Sequence, residues 1–284
     1  MFFNRIKSIL VIVLVVFSTT ACQPAPQTLI VDFLDIGQGD SILIQAPAGQ
    51  TILIDGGRPD GGVVRQLFEV LPWYERTIDL MVVTHPDDDH GGGLVEVARR
   101  FKIGRILYTG VVSDTASYVA LIAEAQTEHI PLTIIDRPQT IDLGGGATLA
   151  IVYPLTSLAG ERPASPNDTS ITARLAFGAQ SFLFTGDLEA PGEAKLLASG
   201  QTIKSTVLKV GHHGSKYSTS EVFLEAVAPK EAVISVGKDN SYGHPTALIL
   251  HRLARFGARV WRTDEAGRIE MRTDGKVLET KSEW

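Results

Sequence analysis

Residues 84–93 read THPDDDHGGG, from Thr84 through His85, Asp87, Asp88, Asp89 and His90 to Gly93. Two histidines and three aspartates fall within six positions, directly after the apolar run Leu80-Met81-Val82-Val83 and directly before a glycine triplet that opens a helix-like segment. A strand that ends in such a turn delivers carboxylate oxygens and imidazole nitrogens to one place, and these are the ligand types of a divalent metal site. The competing reading is an acidic, solvated turn whose charges never converge.

Outward from this stretch the same arrangement recurs, with an apolar β-branched run followed by a polar loop. The runs 28–35, 41–45 and 51–55 predict an antiparallel meander that ends at Asp55-Gly56-Gly57, and 63–71 has helical spacing stopped by Pro72. A strand over 78–83 delivers the opening motif. Beyond it the pattern predicts a helix over 94–101, a strand over 105–108, a helix over 118–128 and a strand over 133–135. Strands follow over 148–153, 170–177 and 181–184, and a loop rich in proline, serine and glycine separates Pro154 from Asp168. The last third repeats the unit: strand 205–210 runs into Gly211-His212-His213-Gly214 before a helix over 220–227, and strand 231–236 leads to Tyr242-Gly243-His244-Pro245 before a helix over 246–256. Strands 259–262 and 267–271 close the chain. Five of the seven histidines fall in loops after predicted strands, beside Asn167-Asp168 and Thr185-Gly186-Asp187. One histidine in a loop is ordinary; five at strand ends point to a shared site.

The chain has 284 residues, 44% of them apolar, enough for a full core in one domain. A net charge of −6 argues against a protein coated in basic surface for long nucleic-acid tracts and leaves room for a local basic patch. Arg5 and Lys7 precede the apolar run 9–17, which is too short to span a bilayer comfortably and reads as an export signal over residues 1–21. Cys22 is the only cysteine, so the body folds without disulfides. Residues 22–27 read as a proline-rich tether and 28–284 as the folded domain.

Several motifs together carry a family resemblance. HPDDDH resembles the HxHxDH signature of the metallo-β-lactamase fold, with Asp87 where a second histidine usually stands. With LDIGQGDSILI, ILIDGG, FTGD, VGHHGS and YGHP, nearly the whole chain from Leu29 to Met271 resembles the hydrolase domain of ComEC-type competence proteins. The resemblance implies an α/β fold, an αββα sandwich of two facing mixed sheets with helices outside, and a dinuclear site for two divalent ions, zinc or manganese. Carried over by position, His85 and Asp87 would hold one ion, Asp89 and His90 the other, and Asp187 would bridge them. His212 would complete the shell, with His213 as the alternative. His213 and His244 would then be free for catalytic roles, Asp55 would support the metal loops from behind the ligands, and Asn167 falls where many relatives place a histidine. The implied activity is metal-dependent hydrolysis of a phosphodiester, DNA being one candidate substrate. The alternatives are an envelope phosphoester of the choline-phosphate type, a lactone, or a binding protein without turnover. Ser18-Thr19-Thr20-Ala21-Cys22 resembles a lipobox, which implies acylation of Cys22 and an extracytoplasmic, membrane-anchored enzyme; a secreted or periplasmic form is the alternative.

Overall fold

A computed structural model of the chain describes residues 27–59 and 62–284. The export segment, Cys22 and the tether up to residue 26 lie outside the described residues.

Alternating side chains decide the layering, because successive residues of a strand face opposite sides. In the strand Thr51–Ile54, Ile52 and Ile54 join one buried cluster while Leu53 joins a second. In Gln180–Phe184, Phe182 and Phe184 join that same first cluster while Leu183 joins a third. Strands apolar on both faces need cover on both, so two sheets stack with the shared cluster between them and helices coat the outside. Phe33, Phe182 and Phe184 are fully buried in the shared layer, and truncating one of them to alanine would cost about 3–5 kcal/mol.

The first sheet has eight strands, in the spatial order Leu278–Ser282, Ile269–Thr273, Leu29–Phe33, Ile42–Gln45, Thr51–Ile54, Leu80–Val82, Ile106–Tyr108 and Leu132–Ile134. Helices Gly62–Val70, Leu94–Arg100 and Ala116–Thr127 cover it through Leu67, Val97 and Leu121. The second has seven strands: Arg259–Arg262, Glu231–Ile234, Val207–Lys209, Gln180–Phe184, Thr172–Phe177, Ala147–Tyr153 and Gln139–Asp142. Helices Ala190–Ala198, Glu221–Val227 and Ala247–Arg255 cover it through Leu196, Leu224 and Leu253. This is the αββα sandwich that the motifs implied.

In each sheet a set of parallel strands follows the antiparallel ones. Thr51–Ile54, Leu80–Val82, Ile106–Tyr108 and Leu132–Ile134 run parallel, as do the four strands from Gln180–Phe184 to Arg259–Arg262. Their carboxyl ends converge on one edge of the sandwich, the usual ligand position in open α/β sheets.

Four elements depart from the sequence reading. The expected strand 78–83 is two pieces: Thr77–Ile78 pairs with Lys102–Ile103 in a small sheet of its own, and the chain breaks at Asp79, whose carboxylate accepts from the Thr51 amide at 2.8 Å. Helix Ala190–Ala198 starts over Pro191-Gly192, a pair that reads as a breaker in the sequence, although proline is at home in a first turn. Strands Gln139–Asp142 and Leu278–Ser282 lie at sheet edges, largely outside the core, so no apolar alternation announces them, and the second of these, not residues 267–271, closes the chain.

Candidate metal centre

The site starts from Asp55, the first residue after the strand Thr51–Ile54. Its φ of 57° places it in the left-handed region, which a non-glycine residue enters only at a cost of about 1–2 kcal/mol. The turn aims its carboxylate at the next strand end. Oδ1 accepts from the Thr84 amide at 2.9 Å, and Oδ2 accepts from the Thr84 hydroxyl at 2.7 Å and from His90 Nδ1 at 2.8 Å. The His90 turn sits close against the earlier loops: Gly56 donates to His90 O at 2.7 Å and Asp40 donates to Asp89 O at 3.1 Å. Glycine is required at two of these contacts, since a Cβ on Gly39 would lie 2.1 Å from Asp89 O and one on Gly93 2.1 Å from Gly56 O.

Donor and acceptor bookkeeping then fixes three imidazoles. Asp55 can only accept, so His90 donates through Nδ1. Thr84 spends its hydroxyl hydrogen on Asp55, so at 3.0 Å it accepts from His85 Nδ1. The Ser235 carbonyl accepts from His213 Nδ1 at 2.9 Å. In each neutral ring the Nε2 lone pair is then left to take a proton or a metal ion. His85 Nε2, His90 Nε2, His213 Nε2 and Asp187 Oδ1 are all buried without a hydrogen-bond partner, although buried polar atoms are normally paired. These atoms approach one another. His90 Nε2 lies 3.3 Å from Asp187 Oδ1, His213 Nε2 lies 3.4 Å from Asp187 Oδ2 and 3.5 Å from Asp89 Oδ2, and the His85 and His90 ring centres are 4.1 Å apart. Among the described residues four overlapping sets could hold a cation: His85–His90–Asp187 and Asp89–His90–His213, and two more that include Asp40. Imidazole nitrogens and carboxylate oxygens with Nδ1 held from behind fit a divalent metal ion.

The charges agree. Burial opposes ionisation of Asp187, yet His213 and His90 beside it hold its carboxyl well below the usual range. Burial likewise opposes a charge on His90 and His213, and the facing Asp187 still raises both well above the ordinary histidine value. A set of carboxylates that forces protons onto buried imidazoles is a place that wants positive charge.

Two residues of the centre went unread in the sequence, Asp40 and Lys209. Lys209 is fully buried at the end of the strand Val207–Lys209, where its ammonium contacts Asp40 Oδ2, donates to Gly186 O at 3.0 Å and lies 3.7 Å from Asp187 Oδ1. Asp40 also faces His213 Nδ1 at 3.4 Å. The signal was present: Val207 faces the space between the sheets and Leu208 the outer helices, so alternation sends the lysine inward.

The remaining expected residues fall around this centre. Asp87 Oδ2 lies 3.6 Å from His85 Nε2 on the exposed side. His212 and His213 are consecutive left-handed residues (φ 47° and 52°), a strained turn that sends the two rings apart. His213 enters the buried set. His212 stays about a quarter exposed, with Nε2 3.7 Å from Asp187 Oδ2 and Nδ1 3.1 Å from Glu189. Asn167 donates to Glu189 at 3.2 Å and sits behind the Nδ1 side of His212. His244 stacks edge-on against His212, ring centres 5.5 Å apart, and burial followed by the charges of His212 and His213 pushes its pKa down to about 4. At the far end of the second sheet Arg255 pairs with Glu221, Arg262 with Asp264, Arg252 donates to the Ser218 and Thr219 carbonyls, and Arg259 lies over the Trp261 ring.

Fold and site together define the class. Residues 34–238 match the family model of the metallo-beta-lactamase superfamily, and the chain belongs to that superfamily. Within it, the chain is similar to ComE operon protein 3 of Bacillus subtilis, 34% identical over 270 residues that cover 87% of this chain and 33% of the relative. Competence protein ComA of Neisseria gonorrhoeae is 30% identical, over 83% of this chain and 31% of its own length. The chain thus spans about a third of the curated relatives it matches. Among solved structures, the metallo-beta-lactamase fold protein YhfI from Bacillus subtilis aligns with a TM-score of 0.53 at 13% identity, covering 85% of this chain and 99% of that one. CmlA, a diiron beta-hydroxylase from Streptomyces venezuelae, aligns at 0.56 and 17% over 88% of this chain and 55% of that one. At such identities the two structures bear on the fold alone. Among the described residues no helix is long and apolar enough to cross a membrane.

Proposed function

We propose that the chain is a metal-dependent phosphodiester hydrolase with a dinuclear site, acting outside the cytoplasm while held to a membrane through Cys22. The observation that carries the activity is the convergence of three buried Nε2 atoms with Asp187 and with Asp89, which lines a surface cleft. His85 and Asp87 would hold one ion and Asp89, His90 and His213 the other, with Asp187, whose two oxygens face His90 and His213, available to both. Divalent ions in such a site supply activation of water and neutralisation of charge on a phosphoryl oxygen.

The chain's own groups do the rest. Asp55 and Ser235 hold His90 and His213 in the tautomer that leaves Nε2 free. His244, with a pKa near 4, is neutral at physiological pH and serves as a hydrogen-bond donor to a phosphate oxygen rather than as a stored proton. Arg58 and Lys238 line a cleft of about 510 Å³ that also holds Tyr242, and Tyr242 reaches a second cleft lined by Asp87, Asp88 and Asp89. These two cations offset an otherwise acidic rim. The relatives' names, a competence protein among them, favour nucleic acid over a small envelope ester.

The test is hydrolysis by metal-loaded protein of single- and double-stranded DNA, bis-p-nitrophenyl phosphate, a phosphocholine ester, a lactone and nitrocefin, with the Asp187→Ala variant beside it. Diester cleavage that disappears in the variant is expected. Full activity in the variant, or turnover of nitrocefin or the lactone alone, would overturn the reading.

A further inference from the structure

The edge of the sandwich opposite the metal cluster has a chemistry of its own. Leu29, where the chain enters the first sheet, pairs with Thr273, and its neighbours in the sheet there are the ends of Ile42–Gln45 and Thr51–Ile54. All lie at the amino ends of the parallel strands, away from the cluster. The second sheet ends at the same level: Ala179 donates to Gly275 O at 2.6 Å, and Gly145 sits against Pro47 and the Gln27 side chain. The segment that carries the apolar run 9–17 therefore joins the body at this edge.

Large apolar groups stand out in water there. Trp73 is 82% exposed, Tyr74 69% and Val277 61%, the first two in the turn between helix Gly62–Val70 and the strand Thr77–Ile78. Arg76 beside them lies over the Phe68 ring. On the second-sheet side of the same edge, Arg174, Lys204 and Lys230 line a cleft of about 520 Å³ with Ser181, Ser205 and Thr206, and no carboxylate lines it. Among the described residues none of these three cations has a carboxylate within ion-pair distance. The acids at this edge are engaged by backbone amides: Glu75 by Thr77, Asp79 by Thr51, Asp142 by Gly144, and Asp274 by Lys276 and Val277. Exposed aromatics also occur at the opposite edge, Tyr242 and Trp284, but there Asp35, Asp239 and Asp264 stand beside Arg58 and Lys238, so that edge lacks the carboxylate-free cationic cleft.

We propose that the edge opposite the metal cluster is a membrane-facing surface, with Trp73 and Tyr74 entering the headgroup layer and Arg174, Lys204 and Lys230 meeting anionic lipid phosphates. Indole and phenol rings prefer that layer because one end is apolar and the other hydrogen-bonds water. Cations beside them gain from the negative surface potential of anionic lipids. The arrangement turns the metal cleft away from the bilayer, open to a substrate arriving from solution. The proposal rests on the reading that the N-terminal segment holds the chain to a membrane.

The test reconstitutes the full chain in vesicles of phosphatidylcholine and phosphatidylglycerol carrying lipids brominated near the headgroup, and reads tryptophan quenching together with co-sedimentation. The three tryptophans are 73, 261 and 284. Quenching is expected in the wild type, loss of most of it in Trp73→Phe, and weakening in Lys204→Glu/Lys230→Glu when phosphatidylglycerol is present but not in phosphatidylcholine alone. Unchanged quenching in Trp73→Phe would overturn the proposal by placing Trp261 or Trp284 against lipid. A chain that co-sediments without any quenching keeps the attachment and overturns the orientation. A chain that stays in solution overturns both.

Discussion

Lys209 and Asp40 form an ion pair sealed between the two sheets, with the lysine fully buried and the aspartate 1% exposed. Burial alone would neutralise both groups, yet Lys209 holds the Asp40 carboxyl below its ordinary value and Asp40 raises the lysine. The pair brings a permanent positive charge to the rear of the cluster and keeps one carboxylate engaged. Lys209→Met leaves Asp40 charged and unpaired, which costs about 3–5 kcal/mol. Urea unfolding of the metal-free protein should show that loss, and the double variant Asp40→Asn/Lys209→Met should recover most of it. Losses that simply add would mean that the two groups are not coupled.

Asp55 acts on the centre through His90. Replacing it by asparagine keeps the size but puts an amide where His90 Nδ1–H and the Thr84 hydroxyl now donate at 2.8 and 2.7 Å. His90 loses the partner that fixes its tautomer, and metal affinity is expected to fall about 10–100-fold without removal of any ligand. Competition against a chromophoric chelator measures this directly, and an unchanged affinity would reduce Asp55 to a turn residue.

The adjacent histidines should separate cleanly. His213 is buried with Nε2 near both Asp89 and Asp187, whereas His212 approaches Asp187 alone and from the solvent side. His213→Ala is therefore expected to lower the bound metal per chain on purification, read by mass spectrometry, more than His212→Ala does. The reverse order would assign the ligand to His212.

Much of this was legible in the sequence because it depends on alternation and on motif density. THPDDDHGGG gave the strand end and the ligand types, and the loops holding Asp187 and His213 repeated the pattern. What stayed hidden depends on direction. Nothing in the string Gly211-His212-His213-Gly214 says which ring turns inward, since two left-handed backbones decide it. Asp40 sat inside a glycine-rich turn and looked like turn chemistry until its carboxylate met a lysine 169 positions later in the chain. Helix Ala190–Ala198 was masked by its proline, and the edge strands by their polarity.

Asp32 gives the chain a pH dependence unrelated to the metal. It is fully buried in the strand Leu29–Phe33; burial pushes its pKa up from 3.8 to about 7, against the pull of Arg268, whose guanidinium lies 3.4 Å away. Between those two values the folded chain keeps a proton that the unfolded chain has released, so folding stability falls as pH rises through this window. Below it both states are protonated and nothing is lost; above it the whole penalty of the buried charge is present. Asp32→Asn removes the titration and keeps an oxygen that can accept from Arg268. The variant should match the wild type at about pH 4 and be the more stable by about pH 8, the gap opening between. Denaturant midpoints across that range measure it. Parallel curves for the two proteins would show that Asp32 does not carry the slope, and a variant less stable at the alkaline end would show that the Arg268 pair outweighs the burial.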